Sequence, residues 1–162
     1  MSHERAATAT KDGILADEIV PVSIPQRKGD PILVEHDEGV RPGTTAESLG
    51  KLRPAFDPEG TITAGNASQL SDGASAVVVM SESAAAATGV DPLGEIVGYG
   101  MVAGPDNASL NWQPANAIER ALSKAGLAVG DIDVFELNEA FAAVGIASSR
   151  QLGIDLDRVN VN

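Results

Sequence analysis

Apolar and polar positions along this chain fall into two periods. Helical spacing is clearest after Pro114, where Ala115, Ile118, Ala121, Leu122 and Ala125 share one face before Gly126 ends the run. Ser81 followed by alanine-rich text up to Gly89 predicts a second helix with a serine cap. Residues 4–12 read as the last turns of a helix stopped at Gly13, and a short helix is expected around Thr45 to Lys51. A further short capped helix is expected over Ser71–Ala76, and a longer one from an Asn138 cap to Leu152, with Gly153 behind it. Strand patterns are found at Glu18–Ile24 and Pro31–Glu35, on either side of the polar turn Gln26–Asp30. Pro21 and Pro25 confine the first of these to a sheet edge. Ala76–Met80 is wholly apolar and of strand length, Glu95 to Val102 and Asp133–Leu137 are further strands, and Val159–Asn162 reads as a strand beginning. Between Gly39 and Gly65 the prolines 42, 54 and 58 predict an ordered loop region or small excursion.

Strands alternating with helices predict an α/β layered architecture, in which a run such as 76–80 needs both of its faces covered. A helix already under way at the first residues and a strand starting at the last make the chain read as an internal piece of a longer fold. Composition alone points elsewhere: 162 residues with 43% apolar content suit one domain with its own core.

Charge and residue inventory narrow the function classes. Eleven Lys and Arg against 23 Asp and Glu give a net charge of −12, which repels phosphate-rich polymers and argues against nucleic acid as a partner. Arg27, Lys28, Arg41, Lys51 and Arg53 nevertheless cluster in the first third, where a small anion would find local positive charge; an ordinary solvated surface is the plainer reading. The sequence has no cysteine, and His3 and His36 have no partner at ligand spacing, so a structural metal is not expected. No apolar run suits a signal peptide or a membrane span, so a cytoplasmic protein is expected.

Two segments carry more than periodicity. Thr61-Ile-Thr-Ala-Gly-Asn-Ala-Ser-Gln-Leu-Ser-Asp-Gly-Ala74 is one, and Asn138-Glu-Ala-Phe141, at a predicted strand-to-helix junction, is the other. Arg-Pro-Gly-Thr-Thr at 41–45 and Lys51-Leu-Arg-Pro-Ala-Phe56 precede them. In this order the segments closely resemble the thiolase family, and the resemblance runs from Asp17-Glu-Ile-Val-Pro21 to Val159-Asn-Val-Asn162.

That resemblance implies a layered αβαβα thiolase fold, with residues 1–71 the later part of a coenzyme A-binding excursion, 72–92 the end of the N-terminal half and 93–162 the first part of the C-terminal half. It implies an acyltransferase that forms or cleaves 3-ketoacyl-CoA through a cysteine acyl-enzyme, in fatty acid metabolism, as a homodimer or homotetramer when complete. Coenzyme A thioesters would be substrates, with no further cofactor. Asn138 resembles the asparagine that holds a water in the oxyanion hole; a helix N-cap is its bland alternative. Ser68 resembles the serine that meets a pantetheine amide, Ala64 and Ala67 leave room for the pantetheine arm, and Ala140 and Phe141 match pocket-lining positions. Arg41 and Leu52 resemble residues that touch the nucleotide end. Leu110-Asn-Trp-Gln-Pro114 stands where many biosynthetic thiolases have Met-Gly-x-Gly-Pro, so Leu110 replaces a methionine of the acyl site, and Trp112 either packs or reshapes it. Without a cysteine no acyl-enzyme can form on this chain as it stands, and the chain alone is expected to be inactive. A non-catalytic fragment that binds coenzyme A or a partner is the competing reading.

Overall fold

The computed structural model describes residues 1–162, the side chains of Asn107 and Ala108 excepted. The chain divides into two compact units, one formed by residues 1–67, 134–136 and 156–162 and the other by 68–133 and 137–155.

The first unit opens with α1 (Ser2–Lys11), whose C-cap is Asp12 and which buries Ala9. Gly13 follows at φ 70°, a left-handed turn that glycine adopts without strain. β1 (Val22–Ile24) and β2 (Ile32–Val34) pair antiparallel, with Val22 opposite Val34 and Ile24 opposite Ile32. α2 (Ala46–Gly50) starts from a reciprocal cap, in which Thr45 Oγ1 accepts from the Ser48 amide while Ser48 Oγ accepts from the Thr45 amide. Later in the chain, Phe135 forms an isolated parallel bridge with Val159: its amide donates to the Arg158 carbonyl at 2.8 Å and its carbonyl accepts from the Asn160 amide at 2.9 Å. Phe135 and Val159 are both buried. Arg5 on α1 fastens this segment, its guanidinium donating to the carbonyls of Leu156, Val159 and Asn160.

The second unit carries α3 (Glu82–Thr88), capped by Ser81 Oγ accepting from the Ala84 amide at 3.2 Å and closed by Gly89 in the left-handed region. A 3-10 turn over Asn107–Trp112, capped by Asp106, leads into α4 (Gln113–Ala125), with Pro114 in its first turn and Gly126 behind it. α5 (Ala142–Leu152) is closed by Gly153. α4 and α5 are joined by Gln151 Nε2, which donates to Asn116 Oδ1 at 2.8 Å, and α5 is tied to the 3-10 turn by Ser148 Oγ donating to the Asn111 carbonyl at 3.0 Å. Ser148 is fully buried, so that bond satisfies a hydroxyl that water cannot reach. Gly100 lies flush on α4, because a Cβ there would overlap the Ala117 carbonyl oxygen. The core of this unit holds Ala115, Leu122, Leu137, Val144 and Ile154.

Several expected elements are absent. Residues 76–80, 95–102 and 133–137 form no ladder, Phe135 apart, and Ser71–Ala76 is not helical. Val77 and Val78 are 86% and 85% exposed, so among the described residues the apolar run has neither a neighbouring strand nor a cover. A strand pattern states a demand for burial, and only partner strands can meet it. The expected strand at Val159–Asn162 is likewise reduced to the one bridge at Val159. Nor does Asn138 cap α5: the N-cap is Phe141, without a side-chain cap bond. The helix starts later than its sequence suggests because the Ala140 carbonyl is committed elsewhere, to the Ser68 amide.

Candidate functional site

The two distinctive segments meet through a main-chain hydrogen bond. The Ser68 amide donates to the Ala140 carbonyl at 3.1 Å, which joins the end of Ala64-Gly-Asn-Ala-Ser68 to the middle of Asn138-Glu-Ala-Phe141, residues 72 positions apart in the sequence. Both residues belong to the second unit. Ser68 is exposed, whereas Ala140 and Phe141 are half-buried.

Asn138 and Ala140 line an open cavity of about 450 Å³ together with Leu110, Met101, Gln113 and Val144. All of these lie in the second unit. Leu137 just before Asn138 is buried and Val144 on α5 is 2% exposed, so packing on both sides holds the Asn138 backbone in place. Among the described residues the Asn138 side-chain amide has no hydrogen-bond partner, and the residue is exposed to the cavity mouth. A carboxamide on a largely apolar wall is a donor available to an oxygen that enters the cavity.

The remaining candidates lie in the first unit. Ala64 and Ala67 sit in a loop organised by its own polar side chains: the Thr63 amide donates to Asn66 Oδ1 at 2.8 Å, Asn66 Nδ2 donates to the Thr61 carbonyl at 2.9 Å, and the Gly65 amide donates to Thr63 Oγ1 at 3.1 Å. Leu49 and Leu52 press on this loop at Gly65, where an added Cβ would stand 2.7 Å from Leu52 Cδ1. Leu52 is thus a packing residue of the loop as well as a surface one. Arg41 is exposed, and its amide, not its guanidinium, makes the bond to His3 Nδ1 at 3.3 Å. Of the basic cluster, Lys51 is paired with Glu47 at 2.6 Å one helical turn away, an exposed pair of small energetic weight.

Met101 and Gln113 are cavity residues that sequence reading left unassigned. Met101 falls in a run read as a strand, and nothing in its spacing marks it. Gln113 had a signal, since the segment holding it departs from the Met-Gly-x-Gly-Pro pattern at that position too. Among the described residues no cluster of His, Asp and Glu could hold a metal ion, and no helix is long and apolar enough to cross a membrane.

Comparison with known proteins places these features in a family. The model of the thiolase N-terminal domain matches residues 1–83, and that of the thiolase C-terminal domain matches residues 90–162. A probable acetyl-CoA acetyltransferase of Mycolicibacterium smegmatis is 59% identical over 161 residues, 99% of this chain and 41% of the relative. Among solved structures, the acetyl-CoA acetyltransferase of Bacillus anthracis superposes with a TM-score of 0.87 at 43% identity, over 99% of this chain and 40% of that one. Human mitochondrial 3-ketoacyl-CoA thiolase in complex with CoA gives 0.86 at 42%, over 99% and 39%. This chain therefore spans about two fifths of the length of the relatives it matches. The α/β class expected from the sequence stands on this likeness, for the helices and extended segments follow the thiolase path even where no ladder forms.

Proposed function

This chain belongs to the thiolase family, and on that premise we propose that it is the substrate-binding and oxyanion-hole portion of an acyltransferase that forms or cleaves 3-ketoacyl-CoA. The observation that supports this most is the hydrogen bond between Ser68 and Ala140, with the unpartnered Asn138 amide two residues away on a cavity wall. In this reading Ser68 meets the pantetheine arm, Ala64 and Ala67 leave it room, and Arg41 and Leu52 lie toward the nucleotide end. Ala140 and Phe141 line the pocket near the pantetheine end, and Leu110 bounds the acyl end.

The reaction would proceed by acyl transfer from the thioester to a cysteine, departure of coenzyme A as thiol, and attack on the acyl-enzyme by the enolate of acetyl-CoA, or by the reverse thiolysis. Negative charge develops on a thioester oxygen at the enolate step. A preorganised donor there is the largest single contribution a site can make. Asn138 supplies it through a held water, and its freedom from a capping role leaves the amide available. The nucleophilic cysteine and the proton-transfer groups come from polypeptide other than these 162 residues, which contain no cysteine. The complete enzyme is a homo-oligomer in this reading, and the chain alone is inactive. The absence of cysteine also favours the second reading, a non-catalytic fragment that binds coenzyme A.

A chimera separates the two. This chain replaces the matched stretch of the Mycolicibacterium smegmatis relative, and thiolysis of acetoacetyl-CoA is measured. The chimera is expected to turn over, and Asn138→Ala to lower kcat by roughly 10²-fold with little change in KM. Asn138→Asp should be as stable as the parent and slow, since it sets a negative charge beside the developing oxyanion. A folded chimera that binds coenzyme A but does not turn over would leave only the binding reading, and an Asn138→Ala chimera at parental kcat would remove Asn138 from the site.

A further inference from the structure

We infer that Gln113 is a fixed stop in the cavity beside Asn138 that restricts its occupant to short acyl chains; this rests on the reading of that cavity as the acyl end of the site. Among the described residues, Gln113 and Asn138 contribute the two polar side chains of an otherwise apolar lining. Asn138 has a role in the proposed chemistry, whereas Gln113 has none.

The Gln113 side chain is held rather than free. It opens α4 and folds back over the preceding turn, the direction that helical side chains favour. Its Nε2 donates to the Ser109 carbonyl at 3.2 Å and to Ser109 Oγ at 3.0 Å, which uses both amide hydrogens. Ser109 is itself fixed, because its amide donates to Asp106 Oδ1 at 2.9 Å and its hydroxyl to the Asp106 carbonyl at 2.8 Å. The turn is anchored to α5 in addition by the buried Ser148 hydroxyl on the Asn111 carbonyl. Behind it stands Gly104, where a Cβ would overlap Ser109 Oγ and lie 2.8 Å from Gln113 Nε2. The main chain thus backs the side chain, and an occupant cannot push Gln113 away without breaking this set of bonds.

The remaining polar atom adds a chemical bias. Among the described residues, the one protein partner of Gln113 Oε1 is Asn116 Nδ2, at 3.5 Å, the outer limit of a hydrogen bond. The open cavity admits water to this oxygen. An alkyl chain laid against it displaces that water and returns no donor, which is unfavourable by the usual cost of stranding a polar group. Long acyl groups are disfavoured twice, by the stop and by the dry acceptor, while an acetyl-sized group meets neither.

The chimera described above tests this through the ratio of kcat/KM for thiolysis of 3-ketooctanoyl-CoA to that for acetoacetyl-CoA. Gln113→Gly should raise the ratio about 10-fold or more, the discrimination typical of one or a few methylenes. Gln113→Met keeps the length but removes the acceptor, and should raise it less. Ser109→Ala, which releases the amide, should move it in the same direction. A merely structural role would lower both substrates in proportion, and an unchanged ratio in all three variants overturns the inference. If the chimera turns over neither substrate, the reading of function fails on its own. The decision then passes to equilibrium binding, where Gln113→Gly should raise affinity for octanoyl-CoA relative to acetyl-CoA, and an unchanged ratio of dissociation constants overturns the stop.

Discussion

The hairpin of β1 and β2 and the apolar run 76–80 make opposite use of their sequences. The hairpin has the weaker pattern, with prolines beside it and a charged turn, yet it forms a ladder because its partner is on the same chain a few residues away. The run Ala76–Met80 has the stronger pattern and forms none. Local pairing is satisfied by the chain itself, whereas a strand meant for the middle of a sheet depends on neighbours distant in sequence. The matched relatives are more than twice as long, so in a complete thiolase the run has polypeptide available to pair with and cover it.

The sharpest way to break this comparison is a charge at Val78. In the chimera, Val78→Asp should place an unpaired carboxylate in a covered strand and destabilise by more than about 4 kcal/mol, or prevent folding. In the 162-residue chain the same side chain is 85% exposed, and the substitution should fall within about 0.5 kcal/mol of the parent. Thermal unfolding of the two pairs decides. A chimera as tolerant as the isolated chain would mean that the run is a loop in both.

The same contrast explains what was legible in the sequence. Helices α1 to α4 were, for each is built from local signals: the Thr45 and Ser81 caps, Pro114 in a first turn, and Gly89 and Gly126 at φ near 70°. The hairpin was, by its two β-rich runs and the polar turn between them. Residues 95–102 and 133–137 carry strand patterns but form no ladder beyond the bridge at Phe135, since such a pattern reports a burial demand and not the presence of a partner. The spacing of Asn138 before an apolar helix predicts a cap, and it cannot disclose that the Ala140 carbonyl is taken by Ser68. Motif identity marked residues of the cavity wall at Leu110, Asn138 and Ala140. It was silent on Met101 and on the Ser109–Gln113 tether, because hydrogen bonds made by a side chain back to its own turn leave little trace in periodicity.

Arg5 provides the complementary case, a contact with every partner on this chain. Its guanidinium donates to three carbonyls of the segment 156–160, and its side chain is 18% exposed. The accompanying pair with Asp157 at 3.6 Å contributes little, for that carboxylate is 91% exposed. The carbonyl bonds dominate, so Arg5→Met, which keeps most of the stem, should cost about 1.5–3 kcal/mol. The loss should be the same in the isolated chain and in the chimera, unlike that at Val78. Urea unfolding monitored by circular dichroism measures it. A loss confined to the chimera would show that the 156–160 segment is held by Arg5 only when other polypeptide is present.

The smallest expected effect separates the two functions of Ser68. Its amide joins the motif segments and its hydroxyl is the group proposed to meet the pantetheine arm; Ser68→Ala removes the second and leaves the first. Stability and kcat of the chimera should therefore stay near the parent. KM for acetyl-CoA should rise by the equivalent of about 0.5–1.5 kcal/mol, the net worth of one neutral hydrogen bond. Because the group is uncharged, the rise should be the same at low and high salt. Arg41→Ala should also raise KM, but its effect should shrink as salt screens an exposed guanidinium from a phosphate. If the Ser68→Ala effect fell with salt in parallel with that of Arg41→Ala, the hydroxyl would have no contact of its own. If Ser68→Ala instead lowered the melting temperature with KM unchanged, the residue would belong to the joint between the motifs and not to the substrate.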